Sequence, residues 1–113
     1  MNQPAAVPEI SPVELNARLG AGDVPVLVDV RESFERAIAD LPEHGQIAIP
    51  TGQFMQRLAE VPKGGSIVVY CRSGSRSEWA TRLLLAHGYE DVSNLAGGVL
   101  AWRTDVDPSL ASY

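Results

Sequence analysis

The sequence predicts an α/β domain in which a mostly parallel sheet carries helices on both faces. Three observations lead there. The runs Val26-Leu27-Val28-Asp29-Val30 and Ser66-Ile67-Val68-Val69-Tyr70 are apolar almost throughout, as strands covered on both faces are. Segments with apolar residues at helical spacing separate the strand candidates, and that alternation calls for parallel strands joined by right-handed crossovers. The length, 113 residues, suits one domain with a core of its own.

The elements follow in chain order. Residues 1–8, with two prolines and no periodicity, are expected as a disordered tail, with order beginning near Glu9-Ile10. Ser11-Pro12-Val13-Glu14 reads as a capping box: Ser11 caps, Pro12 takes the first turn and Glu14 reaches back, with Gly20 expected to end the helix. Arg31 to Asp40 is expected to be helical, Ile47-Ala48-Ile49 a strand, and Thr51 the cap of a helix carrying Phe54, Leu58 and Val61. Pro62-Lys63-Gly64-Gly65 is a turn before the strongest strand. The segment Arg76–His87 places Trp79, Ala80, Leu83 and Leu84 on one stripe and stops at Gly88, with Trp79 and Trp102 assigned to the core. A strand at Asp91–Asn94 and a last helix with Leu100, Ala101 and Trp102 complete the domain, bounded at 9–104, with 105–113 as a C-terminal tail.

Composition removes several function classes. A net charge of −5 without a basic run argues against nucleic acid as a partner. The longest apolar runs fall far short of the roughly 18 residues of a membrane span. Residues 1–8 show no positive charge and no apolar core of a signal peptide, and one cysteine suits a reducing compartment, so cytoplasm is the expected location. One cysteine and two separated histidines show no zinc-ligand spacing.

The chemistry concentrates in Cys71-Arg72-Ser73-Gly74-Ser75-Arg76-Ser77, between the strongest strand and an amphipathic helix. In parallel α/β sheets ligands bind beyond the carboxyl ends of the strands, where this cysteine falls. The following helix directs unpaired N–H groups and its positive dipole end at the loop, and the small residues let successive amides curl into an anion nest. A free thiol titrates near 8.5, and such surroundings bring it to about 3.5–7.5. Arg72 and Arg76 are expected to add two charges beside an exposed, ionised sulfur. A lone cysteine is more often a small buried hydrophobe, but five polar residues and a glycine after it do not line an apolar core cheaply.

These residues resemble those of the rhodanese-like (sulfurtransferase) domains. Cys71 to Arg76 matches that family's six-residue active-site loop, Val26-Leu27-Val28-Asp29-Val30-Arg31 its first signature, and Asn94-Leu95-Ala96-Gly97-Gly98-Val99-Leu100-Ala101-Trp102 its last. The resemblance implies a rhodanese-like fold with a central five-stranded sheet. It implies double displacement: the Cys71 thiolate takes the outer sulfur of a small anionic donor such as thiosulfate, and the persulfide passes it to a nucleophilic acceptor. No cofactor is implied. Arg72, Ser73, Gly74, Ser75, Arg76 and Ser77 would bind donor and persulfide, while Asp29 and Arg31 would brace the loop rather than react. Glu43-His44-Gly45-Gln46-Ile47-Ala48-Ile49-Pro50 departs from the family's usual His-Ile-x-Gly-Ala. The stretch Val106-Asp107-Pro108-Ser109-Leu110, ending at Tyr113, is similar to the end of rhodanese domains fused behind ubiquitin-activating-like enzymes. That likeness points to a sulfur-carrier protein or thiol as acceptor.

Two rival readings stand beside this one. Cysteine phosphatases and arsenate reductases also use a strand, a cysteine loop, an arginine and a helix, but with five residues between cysteine and arginine; here four intervene. A non-catalytic or sulfide-sensing module on the same fold is the other, since fold alone never guarantees activity.

Overall fold

The computed structural model describes residues 6–113. Five strands, β1 (Glu9–Ile10), β2 (Val26–Asp29), β3 (Ile47–Ala48), β4 (Ile67–Tyr70) and β5 (Val92–Leu95), form one sheet in the order β1-β5-β4-β2-β3. Every neighbouring pair is parallel. Five helices, α1 (Pro12–Gly20), α2 (Ser33–Ile38), α3 (Thr51–Phe54), α4 (Ser75–Ala86) and α5 (Gly98–Asp105), and a 3₁₀ turn at Leu58–Glu60 complete it.

Strand alternation divides the core into two layers. Val28, Ile67, Val69, Cys71 and Val92 face one way and meet Phe54, Ala80 and Leu84 from α3 and α4. Leu27, Val68, Tyr70 and Leu95 face the other way and meet Leu15 of α1 and Val99 and Trp102 of α5. Burying a side chain such as Leu27 or Val69 contributes roughly 1.5–3 kcal/mol over leaving it exposed, which holds the central strands rigidly. From β2 the chain steps to one edge of the sheet, and from β4 it steps the other way, to β5. The connections therefore diverge beyond the carboxyl ends of β2 and β4, opening the crevice in which α/β folds place their sites.

Local chemistry explains where the expected elements shift. The Ser11 capping box is present, with Glu14 N–H donating to Ser11 Oγ at 3.1 Å and Ser11 N–H to Glu14 Oε1 at 3.3 Å. The left-handed residue ending that helix is Gly22 (φ 77°), not Gly20, which stays helical. Pro50 rather than Thr51 occupies the cap of α3, and Thr51 Oγ1 donates instead to the Val30 carbonyl at 2.8 Å. The helix expected after Arg31 is shorter, Ser33–Ile38.

Trp79 is a correction. It is 40% exposed and meets Phe54 edge-on at 6.1 Å. The buried stripe of α4 is Ser77, Ala80, Thr81 and Leu84, because two of its inward positions go to hydroxyls: Ser77 faces the sulfur, and Thr81 Oγ1 donates to the Ser77 carbonyl at 2.7 Å. Trp102 is buried as expected.

Residues 7–8 and 106–113 pack more closely than tails would. Of the segment expected as disordered, residues 1–5 lie outside the described residues. Val7 is buried, and the Pro8 carbonyl accepts Asn94 N–H at 2.9 Å, so the sheet edge fixes the chain before Glu9. At the other end Val106, Leu110 and Tyr113 pack on the α1/α5 layer, and Arg103 Nε donates to the Leu110 carbonyl at 2.7 Å.

Candidate active site

Cys71 follows β4 on the α4 side of the sheet, continuing the row Ile67, Val69. The loop behind it turns at Gly74 (φ 103°), the cap residue of α4, a backbone state that disfavours a side chain. Three donors converge on the sulfur: Gly74 N–H at 3.1 Å, Ser77 N–H at 3.4 Å and Ser77 Oγ at 3.3 Å. The loop's carbonyls are drawn the other way. Val99 N–H, at the start of α5, takes the Cys71 carbonyl at 2.9 Å, and Leu100 N–H takes that of Arg72 at 3.0 Å. Two helix N-termini thus divide the loop, one binding its oxygens and the other facing its sulfur.

Gly97-Gly98 makes this docking possible. Both have positive φ, and a methyl group on Gly98 would overlap the main-chain oxygens of Cys71 and Arg72. The pair reads in sequence as a tight turn; in three dimensions it is also the point of closest approach to the cysteine loop.

The thiol is not exposed as expected. Cys71 is 1% accessible, because the curled loop and α4 wrap it. Burial alone would push its pKa up. The Ser77 hydroxyl, followed by the amides of Ser77, Gly74 and Ser73, outweighs that penalty and brings the thiol below its ordinary value. Ionisation here comes from hydrogen bonds to the anion.

The two arginines also differ from expectation. Arg76 forms a two-pronged pair with Glu35, at 2.8 and 2.9 Å. Arg72 donates from Nε and Nη2 to the main-chain oxygen of Tyr113 and lies over that residue's ring at 5.2 Å. The sulfur therefore sits beside guanidinium groups that are already engaged, Arg76 by a carboxylate and Arg72 by a main-chain oxygen and a ring. Ser73 contributes its amide, while Ser75 opens α4. Asp29 and Arg31 are both fully buried. Arg31 spends five N–H groups on Asp29 Oδ1 and Oδ2 (both 2.9 Å), the Ala39 carbonyl (2.7 Å), Asp40 (2.9 Å) and the Tyr113 hydroxyl (2.8 Å). None of them points to the sulfur.

Sequence reasoning missed three residues. Asn94, 2% exposed on β5, accepts the Ser77 hydroxyl at 2.6 Å and donates to the Gly74 carbonyl at 3.0 Å, tying both to one amide. A polar residue in the short strand Val92-Ser93-Asn94-Leu95 was the available signal. Glu35 and Tyr113 carried none, since their partners lie 41 and 82 residues away. His44 is exposed, His87 Nδ1 meets the Leu83 carbonyl at 2.8 Å, and the Glu78 side chain pairs with Arg82 at 2.9 Å. A surface cleft of about 490 Å³ lined by Lys63, Tyr89, Glu90 and Asp91 lies at the opposite end of the sheet from Cys71. Among the described residues no helix is long and apolar enough to cross a membrane.

A parallel α/β sheet that ends its central strand in an amide-wrapped cysteine defines a class of thiol-based group-transfer domains. The Rhodanese-like domain pattern matches residues 11–105, and the chain belongs to that family. A sulfurtransferase of Allochromatium vinosum is 38% identical over 105 residues, covering 93% of this chain and 96% of its own. The probable adenylyltransferase/sulfurtransferase MoeZ of Mycobacterium tuberculosis is 32% identical over 92% of this chain, which spans only 26% of that protein. Among solved structures, the rhodanese-like domain protein of Staphylococcus aureus superposes with a TM-score of 0.77 at 28% identity, covering 94% of this chain and 98% of its own. Family membership and the relatives' names support sulfur transfer as the general activity.

Proposed function

We propose that the protein carries a sulfane sulfur as a persulfide on Cys71, taking it from a small anionic donor such as thiosulfate and passing it to a nucleophilic acceptor. The observation that carries this reading is the convergence of two amides and one hydroxyl on a single buried sulfur. Such a cradle stabilises one anionic atom, and thiolate and persulfide present the same charge to it. The thiolate attacks the outer sulfur of thiosulfate, a new S–S bond forms, and the donor's S–S bond breaks with its electron pair leaving on sulfite. A thiol or cyanide then attacks the outer sulfur, and the persulfide's S–S bond breaks with its electron pair returning to Cys71 as thiolate. With the activated acyl terminus of a sulfur-carrier protein the persulfide itself attacks, and the activating group leaves. An external dithiol reduces the resulting acyl disulfide to the carrier thiocarboxylate and the Cys71 thiolate. The carrier option is supported by the MoeZ-like relative, whose name joins adenylyl transfer to sulfur transfer.

In this scheme Ser77 and the amides of Ser73 and Gly74 hold the anion, and Arg72 and Arg76 border the donor's approach. Asp29 and Arg31 brace the loop from β2, a role supported by the full complement of bonds on the Arg31 guanidinium. Cytoplasm remains the proposed location, resting on the lone free thiol. Steady-state kinetics with thiosulfate and cyanide test the scheme. Parallel double-reciprocal lines are expected, with no activity in Cys71→Ser; intersecting lines, or an active Cys71→Ser, would refute the covalent intermediate.

A further inference from the structure

We infer that Glu35, braced by the Tyr113 hydroxyl, is a specificity-determining residue that lowers the site's preference for doubly charged donors relative to singly charged ones. The inference rests on the sulfur-transfer reading and concerns which sulfur donors the same site takes. Arg76 lies in the first turn of α4, one residue before the Ser77 that binds the sulfur, and its electrostatic interactions include the Cys71 thiolate. A bare guanidinium at that position would favour a dianion strongly.

Glu35 removes that advantage. Its side chain is 6% exposed, and both carboxylate oxygens are engaged by Arg76 at 2.8 and 2.9 Å. Two further donors fix it: Glu32 N–H at 2.9 Å and the Tyr113 hydroxyl at 3.1 Å. That hydroxyl itself accepts from Arg31 at 2.8 Å, so the brace is anchored to the fully buried Asp29–Arg31 pair. A donor that tried to claim Arg76 would strip the buried carboxylate of its counter-ion, which is strongly unfavourable. The pair therefore stays closed, and an approaching donor meets a carboxylate as well as a guanidinium. The repulsion from Glu35 doubles between a monoanion and a dianion.

Thiosulfate and methanethiosulfonate isolate this effect. They share a tetrahedral sulfur and an outer sulfur, and a methyl group replaces one charged oxygen. With either donor the Cys71 thiolate gains the outer sulfur, and the donor's S–S electron pair departs on sulfite or methanesulfinate. The measurement is the ratio of kcat/KM for thiosulfate to that for methanethiosulfonate, in which the concentration of folded enzyme cancels. Glu35→Gln keeps an oxygen for Arg76 and should raise the ratio about five-fold at low ionic strength, with the gain shrinking at high salt. Tyr113→Phe, which frees one side of Glu35, should move the ratio the same way by less. An equal loss with both donors, the mark of a merely structural role, leaves the ratio unchanged and would overturn the inference while sulfur transfer stands. A wild-type protein that accepts sulfur from neither donor would overturn the reading beneath it as well.

Discussion

At the scale of single residues, the site is governed by how one proton is shared. The Ser77 hydroxyl lies 2.6 Å from Asn94 Oδ1 and 3.3 Å from the Cys71 sulfur, and it has one hydrogen for both acceptors. When the sulfur is a neutral thiol, the Asn94 carboxamide is the better acceptor; when it is an anion, the sulfur competes. Removing the hydroxyl takes the largest of the stabilising contacts from the thiolate. Ser77→Ala is therefore expected to raise the Cys71 pKa. The sign follows from the anion losing a donor while burial, which already favours the neutral thiol, remains. Alkylation rate against pH measures this, and a curve that stays in place or moves to lower pH would remove Ser77 from the activating group. The sequence pointed to Cys71 and to Ser77 because both lie in one seven-residue run. It did not point to Asn94, 17 residues on, which the β4–β5 pairing brings alongside.

At the scale of elements, the loop is shaped by the N-termini of α4 and α5 acting on opposite sides of one backbone. The first faces the sulfur through Ser77 N–H; the second holds the carbonyls of Cys71 and Arg72. Gly98 is where the second helix touches the loop, so Gly98→Ala should force the two apart. The expected cost is about 2–4 kcal/mol, combining a positive φ for alanine with overlap against the main chain. Urea denaturation measures it, and a loss below 0.5 kcal/mol, the range of neutral surface changes, would show that the loop does not need this approach. The legibility of the elements follows the same logic. Strands β2 and β4 were readable because burial on both faces writes a continuous apolar run. Strand β1 has only two residues, Glu9–Ile10, and its place is set by pairing with β5, so no local pattern marks it. Trp79 is apolar yet lies off the buried stripe, because two inward positions of α4 are the hydroxyls of Ser77 and Thr81.

For the molecule as a whole, a net-acidic chain places two arginines beside the Cys71 sulfur and engages both. The partners lie far apart in the sequence: Glu35 in α2 and Tyr113 beyond α5. Pairing with Arg76 holds the Glu35 carboxylate down to about 2, so this bridge persists through the neutral range. Residues 105–113, read from sequence as a tail, therefore belong to the surroundings of the loop through Tyr113. The Asp29–Arg31–Tyr113–Glu35–Arg76 chain of contacts links the sheet to the loop without touching the sulfur. Charge counting in the sequence could place Arg72 and Arg76 near Cys71, but only the fold shows that Glu35 pairs with Arg76 and that Tyr113 engages Arg72.

The whole account depends on Cys71 holding a transferable sulfur inside its ring of amides. Intact-mass spectrometry after incubation with thiosulfate examines this directly. The expected result is a gain of one sulfur atom that reductant removes and that Cys71→Ser never acquires. A wild-type protein whose mass stays unchanged with thiosulfate and with every persulfide donor tried would contradict it.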